Sequence, residues 1–432
     1  MKALFPRQKG TWAFFVEKLA QGTSTIDTSS VGTGKTVVAA AIAETLGCPV
    51  AVVCPKAVIP TWERELKEFG VKPIFVLNYE KIRTGGTPHM NKRGKMIMAW
   101  NLPKNTLVFV DEIHKCKGPY TQNCQLVISL VQQGYRVHGM SATACENPTE
   151  MRSIGFMLGL HGLNKTGNGK SSWYRWMTEN GCAQDRWKQW RLMSRAKLTD
   201  VKDSIYGITG KKLTVEDFPD SFRDNRVFVE PVKFGGANKI IKAYEELGIT
   251  PAIVQEYIEN GTVTDSDFVL VNLLRARQLA ESFKTPDLAE MAEDLVGQGN
   301  SVVIFVNFRE TVEALCEKLH KCYRIEGGQS AKERQQVVDA FQNDEINLLA
   351  VNIAAGGTGL SLHDINGKRP RISLISPSFS AKDHLQTLGR IHRNGAKSDA
   401  IQKILVAADS IEEAVMKSIN RKLKNLEALH GQ

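Results

Sequence analysis

Short runs of apolar residues alternate along most of the chain with segments in which apolar residues recur every three or four positions. The runs are typical of strands buried on both faces of a sheet, and the wider spacing is typical of helices that pack on it. The apolar runs are 49–55, 74–77, 107–110, 136–140, 302–306, 348–351 and 372–375. The helical spacing is clearest over 6–22, 61–66, 238–247, 268–283, 311–319 and 331–341. This alternation predicts an α/β fold with doubly wound parallel sheets, whose ligands bind at the carboxyl ends of the strands.

Two segments interrupt the alternation. In the first, tryptophans stand among basic residues, and this set comprises Trp173, Arg175, Trp176, Arg186, Trp187, Lys188, Trp190 and Arg191. Such a mixture can stack on nucleobases and hold phosphates. The tryptophans of each pair are three residues apart, the spacing of one helical face, so packing in the core is the alternative. The second segment, 217–231, is interpreted as a connector. We therefore predict one domain over 1–225, with a helical insertion at about 160–215, and another over 226–432.

The stretch 29–36 has the pattern of a loop that binds nucleotide phosphates. Its glycines, Gly32 and Gly34, let the backbone curl so that successive N–H groups face an anion. Lys35 can reach the β- and γ-phosphates, and the hydroxyl of Thr36 can hold Mg²⁺. A helix that begins at the lysine would place its positive dipole end under the phosphates. The loop starts with a serine where the usual pattern has glycine, so an ordinary turn between strand and helix is the alternative.

Two carboxylates directly follow the apolar run 107–110. Asp111 could hold Mg²⁺ through water, and Glu112 could orient and deprotonate an attacking water. A solvated acidic pair at the start of a helix is the alternative. Gln8 could bind the edge of an adenine through its amide, although a surface glutamine is the other interpretation. The hydroxyl-rich turn 141–143 could sense the nucleotide by hydrogen bonds.

The second half of the chain has a glycine-rich turn at 354–359 but no phosphate loop of its own. Arg390 and Arg393 are three residues apart and are predicted to share one helical face. From there they could reach a γ-phosphate as arginine fingers. A basic helix exposed to solvent is the alternative. Arginines that face the phosphate loop of the other domain would explain why the second half has no such loop.

Composition narrows the class of protein. The chain has 432 residues, of which 42% are hydrophobic and 24% are charged, so we expect a soluble protein with roughly two to four domains. Lys and Arg number 56 against 46 Asp and Glu, and the net charge of +10 favours a polyanionic partner. The eight cysteines form no Cys-x-x-Cys pair, so we expect reduced thiols in a cytosolic setting and no zinc site. No apolar run approaches the length that spans a membrane, and we expect neither a signal peptide nor a membrane partner.

The order of these motifs resembles that of the superfamily 2 helicases and translocases, and more closely their Snf-type, DEAH-like branch. The resemblance covers nearly the whole chain. The matching stretches are 6–8, 29–36, 52–56 with 62–65, 78–80, 111–114, 141–143 with Asn147, 303–305, 356–360, 386–393 and the closing 410–413. Remodellers of this branch carry acidic residues where Ser29 and Ser30 stand, and a proline where Ala144 stands. The chain also has no large insertion or appended chromatin module, so it resembles a compact phage or bacterial form.

The resemblance implies two tandem RecA-like domains that clamp ATP and Mg²⁺ between them, with nucleic acid running across both. The implied catalytic residues are Lys35, Glu112, Gln386, Arg390 and Arg393. The nucleotide would be bound by Gln8, Gly32, Thr33, Gly34, Lys35, Thr36, Asp111, Gly357 and Gly359, and Mg²⁺ by Thr36 and, through water, Asp111. Nucleic acid would contact Lys56, Tyr79, Thr358, Trp173, Arg175 and Trp176. The sites would be coupled by His114, Ser141 and Thr143.

These features predict an ATP-dependent DNA helicase or translocase that acts on forked or branched DNA in replication, recombination or repair. Motor contacts go mainly to phosphates, so we expect binding without sequence preference. We expect a monomer in the cytoplasm of a bacterium or a phage-infected host. The alternatives are a duplex translocase that does not separate strands, an RNA helicase, and a nucleotide-gated DNA-binding protein that does not hydrolyse ATP.

Overall fold

The computed structural model describes residues 4–93, 97–163, 171–186, 188–194, 197–218, 221–260, 267–356 and 360–430. They form two compact units, Met1–Phe218 with Lys424–Gln432, and Pro219–Leu423. The division falls before the predicted boundary at 225/226, because the strand that begins at Asn225 belongs to the sheet of the second unit. The end of the chain groups with the first unit, where Leu429 is fully buried. Among the described residues, no helix combines the length and apolar character that crossing a membrane requires.

The first unit is built on a parallel sheet flanked by helices. Its strands are β1 Thr25–Asp27, β2 Val50–Cys54, β3 Phe75–Asn78, β4 Met90–Arg93, β5 Ile97–Trp100, β6 Leu107–Asp111, β7 Arg136–Met140, β8 Cys182–Gln184, β9 Trp190–Leu192 and β10 Gly210–Lys211. Its helices are α1 Pro6–Ala20, α2 Lys35–Leu46, α3 Ile59–Glu68, α4 Tyr79–Arg83, α5 Gln122–Gln132, α6 Arg152–Met157, α7 Trp173–Glu179 and α8 Lys197–Ile205. The main sheet has the order β10-β1-β7-β6-β2-β3, and the two remaining strand pairs, β4-β5 and β8-β9, are antiparallel.

Alternate residues of the central strands fill two cores, one on each face of this sheet. Val108 and Val110 of β6 belong to one core, and Leu107 and Phe109 belong to the other. Since side chains alternate between the two faces of a strand, a strand that is apolar throughout must be covered on both. The order also places the ends of β1, β7 and β6 side by side, so the loops that follow these three strands meet at one edge.

The second unit repeats this plan. Its strands are β11 Asn225–Val232, β12 Ser301–Val306, β13 Tyr323–Ile325, β14 Leu348–Asn352, β15 Arg371–Ile375 and β16 Ala400–Ala407. Its helices are α9 Ala237–Glu246, α10 Pro251–Asn260, α11 Asp267–Gly297, α12 Arg309–Lys318, α13 Ala331–Gln342, α14 Ile353–Gly356, α15 Ala381–Leu388 and α16 Ile411–His430, whose last residues group with the first unit. The parallel sheet has the order β11-β16-β15-β12-β14-β13. The predicted pair of doubly wound parallel-sheet domains is confirmed.

The connector predicted over 217–231 is wrong in its second half, where β11 forms. This strand pairs in parallel with β16 along its whole length and lies at the edge of the sheet. The side chains of Asn225 to Val229 are exposed, so β11 shows neither the apolar run of a buried strand nor a regular alternation. Its formation depends on backbone hydrogen bonds to β16, which a hydrophobic pattern does not record.

The insertion predicted as helical is helical only in part. The segments α7 and α8 are helices, but β8 and β9 form a small antiparallel sheet, and β10 joins the main sheet beside β1. Trp190 therefore lies in a strand, and the helical spacing applies to Trp173 and Trp176 of α7 alone. Trp187 lies outside the described residues.

Candidate active site

The predicted phosphate loop connects β1 to α2, and the helix begins at Lys35 as expected. Gly32 and Gly34 have φ angles of 86° and 87°, in the left-handed region that favours glycine. A Cβ atom on Gly34 would also lie 2.5 Å from Nε2 of Gln8. Glycine is therefore required at position 34 both by the backbone conformation and by the close approach of a neighbouring side chain.

The loop is held from two sides by contacts that its motif does not contain. Oδ1 of the buried Asp27 accepts a hydrogen bond from the backbone N–H of Ser29, at 2.9 Å. On the other side, the N–H of Leu213 donates to Oγ of Ser29 at 2.9 Å, and the N–H of Ser30 donates to the carbonyl of Leu213 at 2.8 Å. Ser29, which replaces the usual glycine, thus contributes a hydroxyl that anchors the loop. Leu213 comes from a distant part of the sequence, and only the tertiary structure identifies it.

Lys35 lies within this loop. Its ammonium group donates to the carbonyls of Ser29 at 2.6 Å and Ser30 at 3.0 Å. Burial raises the pKa of Asp27, and the positive charge of Lys35 lowers it, so the two groups lie close enough to interact. Carbonyl oxygens are weaker partners for an ammonium group than phosphate oxygens are, so a nucleotide could take over these contacts.

Gln8 is buried and connects the start of α1 to the loop. Its Nε2 donates to the carbonyl of Thr33 at 2.8 Å, and its Oε1 accepts from the N–H of Phe5 at 2.9 Å. Thr33 is itself buried, and its hydroxyl donates to the carbonyl of Ser30. Here the Gln8 amide bonds to the protein backbone through both of its polar atoms, and a contact to adenine stays a prediction.

Asp111 ends β6 and is fixed by its neighbours. Its Oδ2 accepts from the indole N–H of Trp62 at 2.9 Å, and its Oδ1 accepts from the N–H of Glu112 at 2.9 Å. Burial raises the pKa of Asp111, and the negative charge of Glu112 raises it further, whereas Trp62 and Lys35 lower it. A carboxylate so placed is suited to a cation, because a positive charge would stabilise its ionised form.

The structure contradicts the prediction that Tyr79 contacts nucleic acid. Tyr79 is fully buried, and its hydroxyl donates to the carbonyl of Asp111 at 2.6 Å. It supports the strand end that carries the acidic pair, which is a structural role. Lys56 is exposed at the start of a short 3₁₀ turn, and its contact to nucleic acid stays a prediction.

Glu112, His114 and Ser141 form one hydrogen-bonded group, and the coupling role of His114, Ser141 and Thr143 stays a prediction. His114 Nδ1 lies 3.0 Å from Oε2 of Glu112 and 2.9 Å from Oγ of Ser141. The Ser141 hydroxyl also lies 3.2 Å from Oε2 of Glu112 and accepts from the N–H of Thr143 at 3.2 Å. The adjacent strands β6 and β7 bring these residues together. A movement of the turn 141–143 would therefore shift the Glu112 carboxylate through these hydrogen bonds.

Gln386, Arg390 and Arg393 lie in the second unit, but the arginines do not share a helical face as predicted. The helix α15 ends at Leu388 with Gly389 as its cap; Arg390 lies in the turn that follows, and Arg393 lies just beyond that turn. The side chain of Arg390 donates to the carbonyl of Leu360 at 3.3 Å. Arg393 Nε donates to the carbonyl of Gly389 at 3.0 Å. The spacing of three residues therefore predicted the wrong local structure, because the chain leaves the helix before Arg390.

The positive charge of Arg390 still acts on Arg393, although the two residues do not share a helix. Arg390 and Gln386 are buried, and Arg393 is partly so. Burial lowers the pKa of Arg393 to about 9, and the positive charge of Arg390 contributes to the shift. Two like charges near each other destabilise each other, and a bound anion would relieve that repulsion. Gly357, Thr358 and Gly359, predicted to contact nucleotide or nucleic acid, lie outside the described residues.

The structure also contradicts base stacking by Trp173 and Trp176. They are 3% and 7% exposed and belong to the core of the first unit. Their ring faces are therefore not available to a ligand, and the interpretation as core residues applies. Arg175, between them in sequence, is exposed and pairs with Glu179 at 2.8 Å, so its contact to nucleic acid stays a prediction.

We expect Trp173→Ala to lower the free energy of unfolding by about 3–5 kcal/mol, the usual cost of removing a buried tryptophan side chain. Arg175→Ala is the matched control, since it lies in the same helix but is exposed, and its exposed ion pair contributes little. Denaturant unfolding of both variants measures the difference. Equal stability of Trp173→Ala and the wild-type protein would show that the indole is not part of the core.

Three comparisons relate the chain to known proteins. Residues 286–395 match the family described as helicase conserved C-terminal domain. A protein of Acanthamoeba polyphaga mimivirus, provisionally named an ATP-dependent RNA helicase, is 31% identical over 454 residues, covering 99% of this chain and 83% of that protein. The chromatin remodeling factor mit1 of Schizosaccharomyces pombe is 25% identical over 177 residues, 40% of this chain and 12% of that protein.

Two further similarities are to DNA-associated proteins. The DNA repair and recombination protein RAD54-like of Drosophila pseudoobscura is 30% identical over 146 residues, which cover 32% of this chain and 18% of that protein. The SWI2/SNF2 ATPase core of Sulfolobus solfataricus, solved in complex with dsDNA, has a TM-score of 0.39 and 17% sequence identity. That alignment covers 94% of this chain and 88% of the other.

Proposed function

Because this chain is an ATP-hydrolysing member of the superfamily 2 helicases, of the SNF2 type, we propose that it uses ATP hydrolysis to move along DNA. The observation that carries the proposal is the group formed by Glu112, His114 and Ser141. This group joins Glu112, the residue suited to activate water, to the turn 141–143, which follows the neighbouring strand β7. A site that only bound nucleotide would have no need of such a connection.

The first unit supplies the groups that bind and activate the substrate. The backbone of the phosphate loop and Lys35 would hold the β- and γ-phosphates, with Lys35 leaving the carbonyls of Ser29 and Ser30. Thr36 and Asp111 would hold Mg²⁺, a cation usually bound by one or two protein oxygens together with phosphates. The ion, when bound, neutralises charge that develops on the phosphates. Glu112 would accept the proton of the attacking water.

The second unit would supply the remaining positive charge. Phosphoryl transfer depends mainly on positioning and charge neutralisation, and arginine side chains stabilise the transition state strongly. Arg390 and Arg393 are suited to this role because both follow the end of α15 closely and carry guanidinium groups. In our proposal the two units close on ATP, so hydrolysis requires closure. The cycle of closing and opening would then change the grip on the nucleic acid and move the protein along it.

DNA is the proposed track, with forked or branched DNA as the substrate to be unwound or remodelled. The net charge of +10 suits a polyanion. The similarity to a DNA repair and recombination protein supports DNA, although it covers only a third of this chain. RNA is the second candidate, because the mimivirus relative that covers nearly the whole chain is named as an RNA helicase.

The test is the ATPase rate in the presence of blunt duplex DNA, forked DNA and RNA of matched sequence. We expect forked DNA to stimulate most and scrambled sequences to stimulate equally. The affinity for DNA should fall with salt, with a log–log slope of about −0.9 for each phosphate contact. Stimulation by RNA alone would replace the DNA assignment, and a rate that no nucleic acid changes would contradict a motor function.

A further inference from the structure

Several aromatic side chains are exposed together on the first unit, and one of them lies on the stretch of chain that follows Asp111 and Glu112. Tyr120 and Tyr174 are 64% and 40% exposed, and their hydroxyl groups are joined by a hydrogen bond. The ring of Trp190 lies 5.8 Å from that of Tyr174. Together with Arg152 these side chains form what we call the aromatic–arginine surface.

Arg152 contacts the rings of this surface and the backbone next to Tyr120, and so holds the Tyr120 ring in place. Its guanidinium carbon lies 5.5 Å from the centre of the Tyr120 ring and 5.9 Å from that of the buried Trp173. One of its N–H groups donates to the carbonyl of Pro119 at 2.7 Å. The ring of Trp173 lies 5.1 Å from that of Tyr174 and thus backs both tyrosines. The exposed rings are therefore held in place before any ligand arrives, which reduces the entropy lost on binding.

Basic residues outnumber acidic ones on the segments that build this surface, 117–120, 146–152 and 173–192. The basic residues there are Lys117, Arg152, Arg175, Arg186, Lys188 and Arg191, and the acidic residues are Glu146, Glu150, Glu179 and Asp185. Glu179 pairs with Arg175 and Asp185 pairs with Arg191, each at 2.8 Å. Rigid exposed aromatics beside arginines suit a polyanion that also has flat apolar faces.

The surface is linked to the hydrolytic residues by a short and well-fixed stretch of chain. The 3₁₀ turn Ile113–Cys116 contains His114 and leads to Lys117, which pairs with Glu150 at 2.7 Å and Glu146 at 3.4 Å. Tyr120 follows three residues later. A ligand that shifts Tyr120 would therefore act on the segment that positions His114, and with it Glu112.

We propose that the aromatic–arginine surface binds unpaired bases of single-stranded DNA by stacking, with Tyr120 and Tyr174 as the contact residues. This inference rests on the proposed function, because it takes DNA as the partner. Paired bases present only their edges in duplex DNA, so the surface would distinguish an opened strand from a closed one. It replaces the two buried tryptophans as the aromatic element in this part of the chain.

The test compares single-strand binding by Tyr120→Ala, Tyr120→Phe and a control, Tyr323→Ala, in the absence of ATP. Tyr323 is 45% exposed but lies in the second unit. We expect Tyr120→Ala to weaken binding of a fluorescent single-stranded oligonucleotide by about 5- to 150-fold, the range given by the loss of one stacked base. Tyr120→Phe, which keeps the ring, and Tyr323→Ala should bind like the wild type. Blunt duplex DNA should bind equally to all four proteins.

An abasic oligonucleotide of the same length separates stacking from phosphate binding. We expect the wild-type protein to bind it at least as weakly as Tyr120→Ala binds the normal strand, because an abasic strand can stack on neither tyrosine. Unchanged binding of the normal strand by Tyr120→Ala, or an equal loss for strand and duplex, would overturn the inference. If stacking is found but no DNA changes the ATPase rate, the motor function fails and the single-strand site remains. If DNA stimulates the ATPase but Tyr120→Ala binds the single strand normally, the single-strand site fails and the motor function remains.

Discussion

Replacement of Arg390 or Arg393 with alanine should slow ATP turnover by about a thousandfold or more, the usual loss when an arginine finger is removed. ATP binding should suffer far less, because the phosphate loop and Lys35 belong to the first unit. Steady-state turnover and the equilibrium affinity for a fluorescent nucleotide measure the two effects separately. A loss of only a few-fold would mean that the arginine serves the structure or the coupling of the protein.

The control for this comparison is Arg309→Ala. Arg309 is an exposed arginine of the same unit, and its side chain pairs with Glu313 and Glu326. The Arg309→Ala variant should turn over ATP at nearly the wild-type rate. Arg390 is buried and bonded to Leu360, so Arg390→Lys is needed as well. Lysine keeps the charge without the planar donor geometry of arginine, and we expect it to remain slow with a melting temperature near that of the wild type.

Lys35→Ala should abolish ATP hydrolysis while the protein stays folded. The side chain is not part of the hydrophobic core, and its removal costs hydrogen bonds to two loop carbonyls and its attraction to the carboxylates of Asp27 and Asp111. Glu112→Gln should instead bind ATP and stall, because an amide cannot accept the proton of water. Phosphate release, nucleotide binding and melting temperature distinguish the two variants.

Glu17→Gln provides the control, since Glu17 is an exposed carboxylate on α1. It should hydrolyse ATP normally. Near-normal turnover by Lys35→Ala would refute the phosphate-binding role of the lysine. Wild-type turnover by Glu112→Gln would refute the role of Glu112 as general base, and the hydrogen-bonded group around it would then have to serve another purpose.

The site residues that could be predicted are those fixed by local backbone geometry. A helix begins at Lys35 because two glycines and a lysine specify the turn before it, and Asp111 ends a strand because an apolar run precedes it. The positions of Tyr79 and Trp62 could not be predicted in this way. Both are buried by tertiary contacts to Asp111, which lies about 30 to 50 residues further along the chain.

Helical spacing gave a wrong prediction where the helix ends earlier than the spacing suggests. Arg390 and Arg393 have helical spacing, yet α15 ends just before them. Trp173 and Trp176 have the same spacing and do lie on a helix, where the spacing correctly indicates burial. The exposed aromatics Tyr120 and Tyr174 have no pattern of their own. They are adjacent because α7 packs near the segment that follows the acidic motif, a contact between parts of the chain more than 50 residues apart.

The position of β10 bears on how the protein acquires its activity during synthesis. The phosphate loop emerges from the ribosome early, but β10 and Leu213, which hold one side of it, are made after the whole insertion. Closing a contact across 184 residues costs chain entropy and makes formation of that contact slow. The nascent first unit should therefore assemble its central strands before its phosphate loop is fixed. The protein would then gain its affinity for nucleotide late in folding. A chain whose synthesis stops within the insertion would contain the phosphate-loop sequence but would not bind nucleotide.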